Sequence, residues 1–128
     1  MTTKHKLNVL IEIEIEGKGA VKGELKRYLA PMTFDELVRK LPIDGVATIK
    51  ENILQINIKA QMIRGSEKPA TKINRGDILY WPFDNSLLIP LEDNVSRAQS
   101  VKIGNIQGDL SLLSNINQGV KVTIKAIE

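Results

Sequence analysis

Two segments near the ends of the chain alternate apolar and polar residues with a two-residue period, which is the period of a β-strand that buries one face. The first segment spans residues 7–16 and the second spans residues 120–126. Their outward positions carry opposite charges, namely Glu12, Glu14 and Glu16 on the first and Lys121 and Lys125 on the second. Opposite charges on neighbouring antiparallel strands attract each other. We therefore predict that the first and last strands pair and close the sheet into a barrel without free edges.

Shorter strand patterns lie between these two segments. They cover residues 20–29, residues 46–58 as two strands, and residues 101–106. In the first of them Val21 and Leu25 face inward, although residues 24–29 also fit a helix. A bend at Glu51 and Asn52 separates the two strands within residues 46–58. The composition of these segments predicts a mainly β fold.

A hairpin is predicted over residues 76–89, which contain the only Trp and one of the two Tyr residues. Apolar residues lie on both sides of a Pro-Phe-Asp-Asn bend, as expected for two strands joined by a turn. The flanking segments 64–75 and 92–100 have no apolar period, so we expect them to be polar surface loops.

Two short helices are also predicted. Thr33 and Glu36 form the pattern of a capping box, and Pro42 ends the apolar stripe that follows, which indicates a helix over residues 33–41. Asp109 is a suitable N-cap for a second helix that reaches residue 116, and Gly119 follows with the freedom to adopt a left-handed conformation.

Composition limits the classes of protein to which the chain can belong. Its 128 residues, 42% of them hydrophobic, are sufficient for one domain over residues 1–128, with residues 1–6 expected to be flexible. Cysteine is absent, which excludes thiol nucleophiles, disulfides and thiolate metal sites. No segment has the length of an apolar membrane span, so we expect a soluble, cytoplasmic protein that is not associated with a membrane. Frequent Ile and Lys are compatible with a thermophilic source.

Nucleic acid is not an expected partner. The net charge is only +3, from 18 Lys and Arg against 15 Asp and Glu, and the basic residues form no block or stripe. Aromatic residues make up 4% of the chain, which leaves few rings on which bases could stack. We make no prediction about the oligomeric state.

Several motifs resemble the cyclophilin-like family of small archaeal and bacterial β-barrel proteins, whose function is largely undefined. The most specific is Gly76-Asp77 followed by Tyr80-Trp81-Pro82, and further matches are Leu41-Pro42, Asn85 with Leu87, and the segment 101–106. The resemblance covers roughly residues 7–127. It implies a closed barrel of about eight strands with two short α-helices at its openings.

The chain also departs from this family in two places. Relatives commonly continue the Tyr-Trp-Pro motif with Pro-Gly, whereas this chain has Phe83-Asp84. Many relatives carry a Trp, an acidic pair and aromatic residues in the middle strands, where this chain has aliphatic and polar residues that include Gln55. A ligand shared with those relatives is therefore not expected.

No catalytic residue, metal site or cofactor is predicted. The only histidine, His5, lies in the N-terminal segment that is expected to be mobile. Asp84, Glu92 and Asp93 match no calcium loop, and they fit solvated turn residues better. No glycine-rich phosphate loop is present.

The candidate ligand-binding residues surround the predicted hairpin bend. Tyr80 and Trp81 must face opposite sides of their strand, so only one ring can enter the barrel, and core packing is the simpler interpretation of that ring. The alternative interpretation is an aromatic rim that holds a small polar molecule or a short peptide. The predicted rim consists of Arg64, Tyr80, Trp81, Phe83, Asp84 and Asn85.

Two other functions compete with that of a non-catalytic binder. A weak peptidyl-prolyl isomerase is suggested by the fold resemblance, but the Phe-His-Arg and Gln-Gly-Gly-Asp stretches of true cyclophilins are absent, and only Arg64 or Arg75 could replace their arginine. A protein-interaction module without a small-molecule site is the second alternative. Whether the chain is an enzyme therefore remains open, with the absent motifs favouring a binder.

Overall fold

The computed structural model describes residues 7–62, 67–93, 95 and 99–127. Eight antiparallel strands close into a barrel in the order β1-β2-β7-β5-β6-β4-β3-β8, with β8 returning to β1. The strands are β1 (Asn8–Ile15), β2 (Gly19–Lys26), β3 (Ile43–Lys50), β4 (Ile53–Ile58), β5 (Asp77–Trp81), β6 (Ser86–Pro90), β7 (Val101–Ile106) and β8 (Val120–Ala126). The predicted eight-stranded barrel is confirmed.

The first and last strands pair as their charges predict. In the antiparallel register Glu12 lies opposite Lys125 and Ile13 lies opposite Ile124. The Lys125 ammonium is 3.7 Å from a Glu12 carboxylate oxygen and 3.5 Å from one of Glu14. This pairing joins the two ends of the sheet, so no described strand is left with an unpaired edge.

Aliphatic side chains from all eight strands fill the barrel interior. Residues that alternate along each strand point inward, and the largest of them are completely buried, including Ile11, Ile13, Leu54, Ile56 and Leu87. A smaller apolar cluster lies on the outer face of β4, β5 and β6, and consists of Ile53, Ile73, Leu79 and Leu88 with Ala70, Trp81 and Val95 packed against it. The segments that follow β4 and β6 therefore cover part of the barrel wall.

The α-helix found in the described residues differs from its prediction at the N-terminus. α1 spans Pro31–Lys40, with Ala30 as N-cap and Pro31 in the first helical position, where its missing N–H costs nothing. The predicted capping box at Thr33 is wrong, because Thr33 lies within the first turn and bonds to a distant residue. Glu67 accepts hydrogen bonds from the amides of Met32 (2.6 Å) and Thr33 (2.9 Å) and from the Thr33 hydroxyl. A carboxylate at a helix N-terminus also complements the helix dipole.

The second predicted helix is a single 3-10 turn over Leu110–Leu112. Asp109 caps it as expected, since its carboxylate accepts from the Ser111 amide at 2.9 Å, and Gly119 has the expected positive φ of 84°. The segment after this turn does not continue as a helix. The described residues therefore contain one α-helix and two 3-10 turns, and the second predicted α-helix is not confirmed.

The strand predicted over residues 20–29 ends at Lys26, and a 3-10 turn follows over Arg27–Leu29. Val21 and Leu25 face inward as predicted. The hairpin between β3 and β4 turns at Glu51 and Asn52, whose φ angles are 54° and 62°. The predicted bend is confirmed.

The barrel has two differently closed openings. At one opening, Phe34 and Leu37 of α1 enter the main core, and the tip of the β5–β6 hairpin lies at this same end because β5 runs towards it. At the other opening, Leu110 and Leu113 from the 3-10 turn enter the core. No helix within the described ranges has the length and apolar character needed to cross a membrane.

Candidate functional site at the hairpin tip

The tip of the β5–β6 hairpin is the four-residue turn 82–85, which stands at the α1 end of the barrel. Two backbone hydrogen bonds close it, from the Asp84 amide to the Trp81 carbonyl and from the Asn85 amide to the Pro82 carbonyl. Asn85 has a φ of 51°, a left-handed conformation that Asn tolerates better than most residues. The turn therefore has a defined backbone.

Asn85 fastens this tip to the end of β4. Its side-chain amide donates to the carbonyls of Ile58 (3.2 Å) and Ala60 (2.9 Å), and its side-chain carbonyl accepts from the Tyr80 hydroxyl at 2.8 Å. Tyr80 faces the barrel interior and is only 4% exposed. Tyr80 and Asn85, two of the predicted ligand-binding residues, therefore hold the tip in place.

Trp81 lies on the opposite face of β5, as the alternation predicts, and packs against the outer apolar cluster. Phe83 follows in the turn and is 68% exposed. The two rings meet edge to face, with centroids 6.1 Å apart and an interplanar angle of 88°. This geometry is favourable for an aromatic pair and leaves the Phe83 ring largely open to solvent.

Asp84 follows Phe83 in the turn, and two residues of the outer barrel wall hold its carboxylate. One of its oxygens, Oδ2, accepts from the Gln55 side-chain amide at 2.6 Å and from the Ser86 hydroxyl at 3.1 Å. Asn57 donates to the Asp84 backbone carbonyl at 2.7 Å. The other carboxylate oxygen, Oδ1, accepts no hydrogen bond from any residue that the structure describes. A negative charge with a fixed position and a free acceptor atom therefore stands at the tip.

The Gln55 side chain adds a second acceptor. Gln55 is 8% exposed, and its carbonyl oxygen Oε1 is buried without a hydrogen-bond partner among the described residues. Buried polar atoms are nearly always paired, so this acceptor is an exception among the described residues. Both unsatisfied atoms are acceptors, which means that the tip is suited to a hydrogen-bond donor.

A network of polar contacts holds α1 in the neighbouring opening. Arg27 and Asp35 form a bidentate pair at 2.8 and 2.9 Å. The hydrogen bonds from Arg27 lower the pKa of the Asp35 carboxyl below its usual value, and Asp35 in turn raises the pKa of Arg27. Lys40 bonds to Glu36 and to the backbone carbonyl of Gln61, which connects the end of the helix to the segment after β4. These contacts give the rim a rigid surrounding.

A groove of about 630 Å³ lies at the other opening. Lys18, Lys22 and Ser111 are among the residues that line it. Its one carboxylate, Asp109, already caps the 3-10 turn, and the hydrogen bond from the Ser111 amide lowers the Asp109 pKa. No set of three or more metal-ligating side chains is brought together in the part of the chain that the structure describes.

A comparison of the sequence with known protein families agrees with this architecture. The profile of the cyclophilin-like family matches residues 9–125. The chain belongs to the cyclophilin-like family. This result confirms the resemblance based on the Gly-Asp and Tyr-Trp-Pro motifs.

Two solved structures share the cyclophilin-like fold with this chain. The solution structure of the hypothetical protein AF2241 from Archaeoglobus fulgidus has a TM-score of 0.74 and 17% sequence identity, and the match covers 97% of this chain and 98% of that protein. The structure of McbB in complex with tryptophan has a TM-score of 0.72 and 17% identity, and the match covers 90% of this chain but only 44% of McbB. At these identities the similarity concerns the fold. No curated protein matches the sequence.

The structure brings together five of the six predicted site residues of this cyclophilin-like domain. Tyr80 and Asn85 form the support, Phe83 and Asp84 are exposed in the turn, and Trp81 is partly buried against the outer apolar cluster. Arg64 and His5 lie outside the described residues.

Sequence analysis did not predict that Gln55 and Ser86 hold the Asp84 carboxylate. Their convergence depends on the pairing of β4 with β6, which connects residues about thirty positions apart. The only signal in the sequence was that Gln55 occupies the region where many relatives carry an acidic pair and aromatic residues.

Proposed function

We propose that this cyclophilin-like domain binds a small polar molecule or a short peptide through a protonated nitrogen at the hairpin tip, and that it does so without catalysing a reaction. The observation that carries the proposal is the Asp84 carboxylate, which Gln55 and Ser86 hold in the same turn as the exposed Phe83 ring. Its second oxygen accepts no hydrogen bond from the described residues, and Phe83 pairs edge to face with the partly buried Trp81. A carboxylate next to aromatic rings is a favourable environment for an ammonium or guanidinium group.

The rigidity of the tip supports binding. Ordering a loop or a side chain on association reduces affinity, and groups already fixed in the free protein avoid this cost. The Asn85 side chain joins the tip to β4, and the Tyr80 hydroxyl fixes Asn85. A ligand would therefore meet the Asp84 carboxylate and the exposed Phe83 ring in positions that need little adjustment.

Amino acids are suitable first ligands to test. McbB, which shares the fold, has been determined in complex with tryptophan. Tryptophan combines an ammonium group with an aromatic ring, and both groups would find a partner at the tip. Its carboxylate would not, because Asp84 would repel it. An amide derivative without that negative charge, L-tryptophanamide, should therefore bind more tightly than tryptophan.

The isomerase alternative has less support in the described part of the chain. A proline isomerase of the cyclophilin type needs an arginine beside its apolar rim. Arg75 precedes β5, whereas the tip follows it, so the strand's five residues, about 16 Å in length, separate the two. The Arg75 amide bonds to Asp93 at this opposite end. Acceleration of prolyl isomerisation in a peptide assay would support the alternative.

The interaction-module alternative rests on a different observation. Leu7, Tyr28 and Met32 are 68%, 75% and 56% exposed, and all three lie at the α1 end of the barrel. Exposed apolar side chains grouped at one end can form part of a protein contact. A short peptide bound at the tip could also extend across them. Mutation of the tip and of these apolar residues in turn therefore separates ligand binding from a protein contact.

The test is an NMR titration with two matched ligands. L-tryptophanamide and N-acetyl-L-tryptophanamide have the same ring, but only the first carries an ammonium group. We expect saturable chemical-shift changes at residues 81–86 with L-tryptophanamide and smaller changes with N-acetyl-L-tryptophanamide. Neither ligand should shift these signals in Phe83→Ala. Tyr28→Ala, which removes an exposed aromatic ring from the 3-10 turn after β2 and outside the tip, is the control. Equal shifts with both ligands, or an effect of Tyr28→Ala alone, would contradict the proposal.

A further inference from the structure

A second cleft lies on the outer barrel wall beside β7. It has a volume of about 370 Å³ and is formed by the end of the 3-10 turn after β2, the segment 68–72 and one residue of β7. Its lining is basic and apolar, and consists of Leu29, Lys68, Pro69, Ala70, Thr71, Lys72 and Lys102. It shares no lining residue with the hairpin tip, so its function is independent of the one proposed above.

The positive charge in this cleft is only partly neutralised. Lys102 lies 3.2 Å from Asp77, a buried carboxylate whose other oxygen accepts from the Asn74 amide. Lys68 and Lys72 form no ion pair with any residue in the described ranges. The lining contains three lysines and no acidic residue. After the Asp77 contact is counted, two ammonium charges of the lining remain without an ion-pair partner among the described residues.

The carboxylate next to Lys68 in sequence does not compensate for this charge. Both oxygens of Glu67 point to the start of α1, where they accept from the amides of Met32 and Thr33 and from the Thr33 hydroxyl. The acidic neighbour is therefore engaged elsewhere, and the excess of positive charge in the cleft persists.

The segment that carries Lys68 and Lys72 is fixed at three points. Glu67 attaches its beginning to α1. In the middle, the Ala70 amide donates to the Ser100 carbonyl at 2.8 Å, and Ala70 packs against the outer apolar cluster. At its end Ile73 is 5% exposed and forms a β-bridge with Val95. The backbone of the cleft is thus ordered before any ligand arrives, which favours binding.

We propose that this cleft binds the phosphate group of a small molecule. Lysine ammonium groups act as point charges that suit a phosphate, and several of them around one cavity favour a multiply charged anion over a single carboxylate. The Thr71 hydroxyl is an additional donor in the lining. The volume is near the lower end of the range for ligand pockets and suits a compact phosphate ester or a diphosphate.

The test is an NMR titration with sodium pyrophosphate at fixed ionic strength, repeated with inorganic phosphate and O-phospho-L-serine. We expect saturable shifts at the amides of residues 68–72 and Lys102. Lys68→Gln and Lys72→Gln should each weaken binding about five- to tenfold, since each removes a charged partner of the anion. Lys50→Gln, which removes an exposed charge from β3 outside the cleft lining, is the matched control and should change the affinity less than about twofold.

The three anions identify the form of the ligand. Equal affinity for inorganic phosphate and phosphoserine would show that the cleft recognises the phosphate group alone. Tighter binding of phosphoserine would show that it recognises a phosphate ester. Both results support the anion site. Absence of saturable shifts at residues 68–72 would overturn the proposal. An equal loss of affinity in Lys50→Gln would also overturn it, because binding would then follow net charge alone.

Discussion

At the scale of single residues, Asn85 determines the position of the candidate site. It adopts a left-handed conformation that permits a tight turn, and its side chain uses both the donor and the acceptor to bond with three other residues. The exposed residues Phe83 and Asp84 directly precede it in the turn, and the partly buried Trp81 lies at the start of that turn. Their placement therefore depends on a residue that need not contact the ligand.

We expect Asn85→Ala to lower the free energy of unfolding by about 2–4 kcal/mol. The substitution removes three hydrogen bonds to partly buried groups and puts alanine, which tolerates a left-handed conformation less well than asparagine, at a φ of 51°. Urea unfolding measures the change. Asn85→Gly loses the same hydrogen bonds without the backbone strain, so it should be about 1 kcal/mol less destabilising than the alanine variant. An Asn85→Ala protein as stable as the wild type would refute the supporting role.

Gly104 is required by the close approach of β7 to β2. A β-carbon added at this position would overlap the Glu24 backbone carbonyl oxygen, and neither backbone can move without disturbing the barrel. We expect Gly104→Ala to destabilise the protein by about 3 kcal/mol or more. Gly17→Ala is the control, because Gly17 has a positive φ but open space around it, and about 1 kcal/mol of strain is expected there. Similar costs in urea unfolding would contradict this account of β7.

At the scale of elements, a strand, helix or turn was predicted correctly from the sequence where the contacts that determine it are local. Sequence analysis predicted β1, β8 and the left-handed Gly119, because a strand period and a turn conformation depend on residues that are close together in the sequence. The start of α1 was missed because Glu67, more than thirty residues away, supplies the carboxylate that bonds to its first turn. The support of Asp84 was missed for the same reason, since it comes from the neighbouring strands β4 and β6.

The contact between α1 and the preceding 3-10 turn should depend on pH. Arg27 lowers the pKa of Asp35 in the folded protein, so this carboxylate stabilises the fold above its unfolded pKa of about 3.9 and loses that contribution as the pH falls through the lowered value. Asp35→Asn should therefore melt below the wild type at pH 6, and the two Tm values should converge near pH 2. Because both side chains are partly exposed, the difference will be small.

A double-mutant cycle tests the cause of this pH dependence. In a protein that already carries Arg27→Gln, the change Asp35→Asn should have little further effect on Tm at pH 6, because the stabilising partner is absent. An undiminished effect of Asp35→Asn in the Arg27→Gln background would show that another group is responsible.

At the scale of the whole molecule, closure by β8 allows a chain of this size to present a site on a rigid wall. β8 pairs with β1 on one side and with β3 on the other, and it contributes Val122 and Ile124 to the core. Without it, two strand edges and part of the core would be exposed to solvent. The tip and the lysine cleft lie on other strands but rely on this closure.

Truncation after Gly119 should therefore abolish cooperative folding. We expect the shortened chain to show no sigmoidal thermal transition by circular dichroism and to aggregate, as measured by light scattering, because β1 and β3 would each lose one of their two partner strands and expose an edge. Lys125→Gln is the corresponding mild change. It removes the ion pairs with Glu12 and Glu14 and should cost less than about 1 kcal/mol. A cooperative transition in the truncated chain would contradict the role of β8.

The most direct test of the central claim is the calorimetric affinity of L-tryptophanamide for the wild type and for Asp84→Asn. Asparagine can still accept the hydrogen bond from Gln55 but carries no charge, so the tip should keep its shape and bind about tenfold more weakly. Glu16→Gln, which removes an exposed carboxylate from the opposite end of the barrel, should bind like the wild type. Equal affinity of the wild type and Asp84→Asn would contradict recognition of a protonated nitrogen at the hairpin tip.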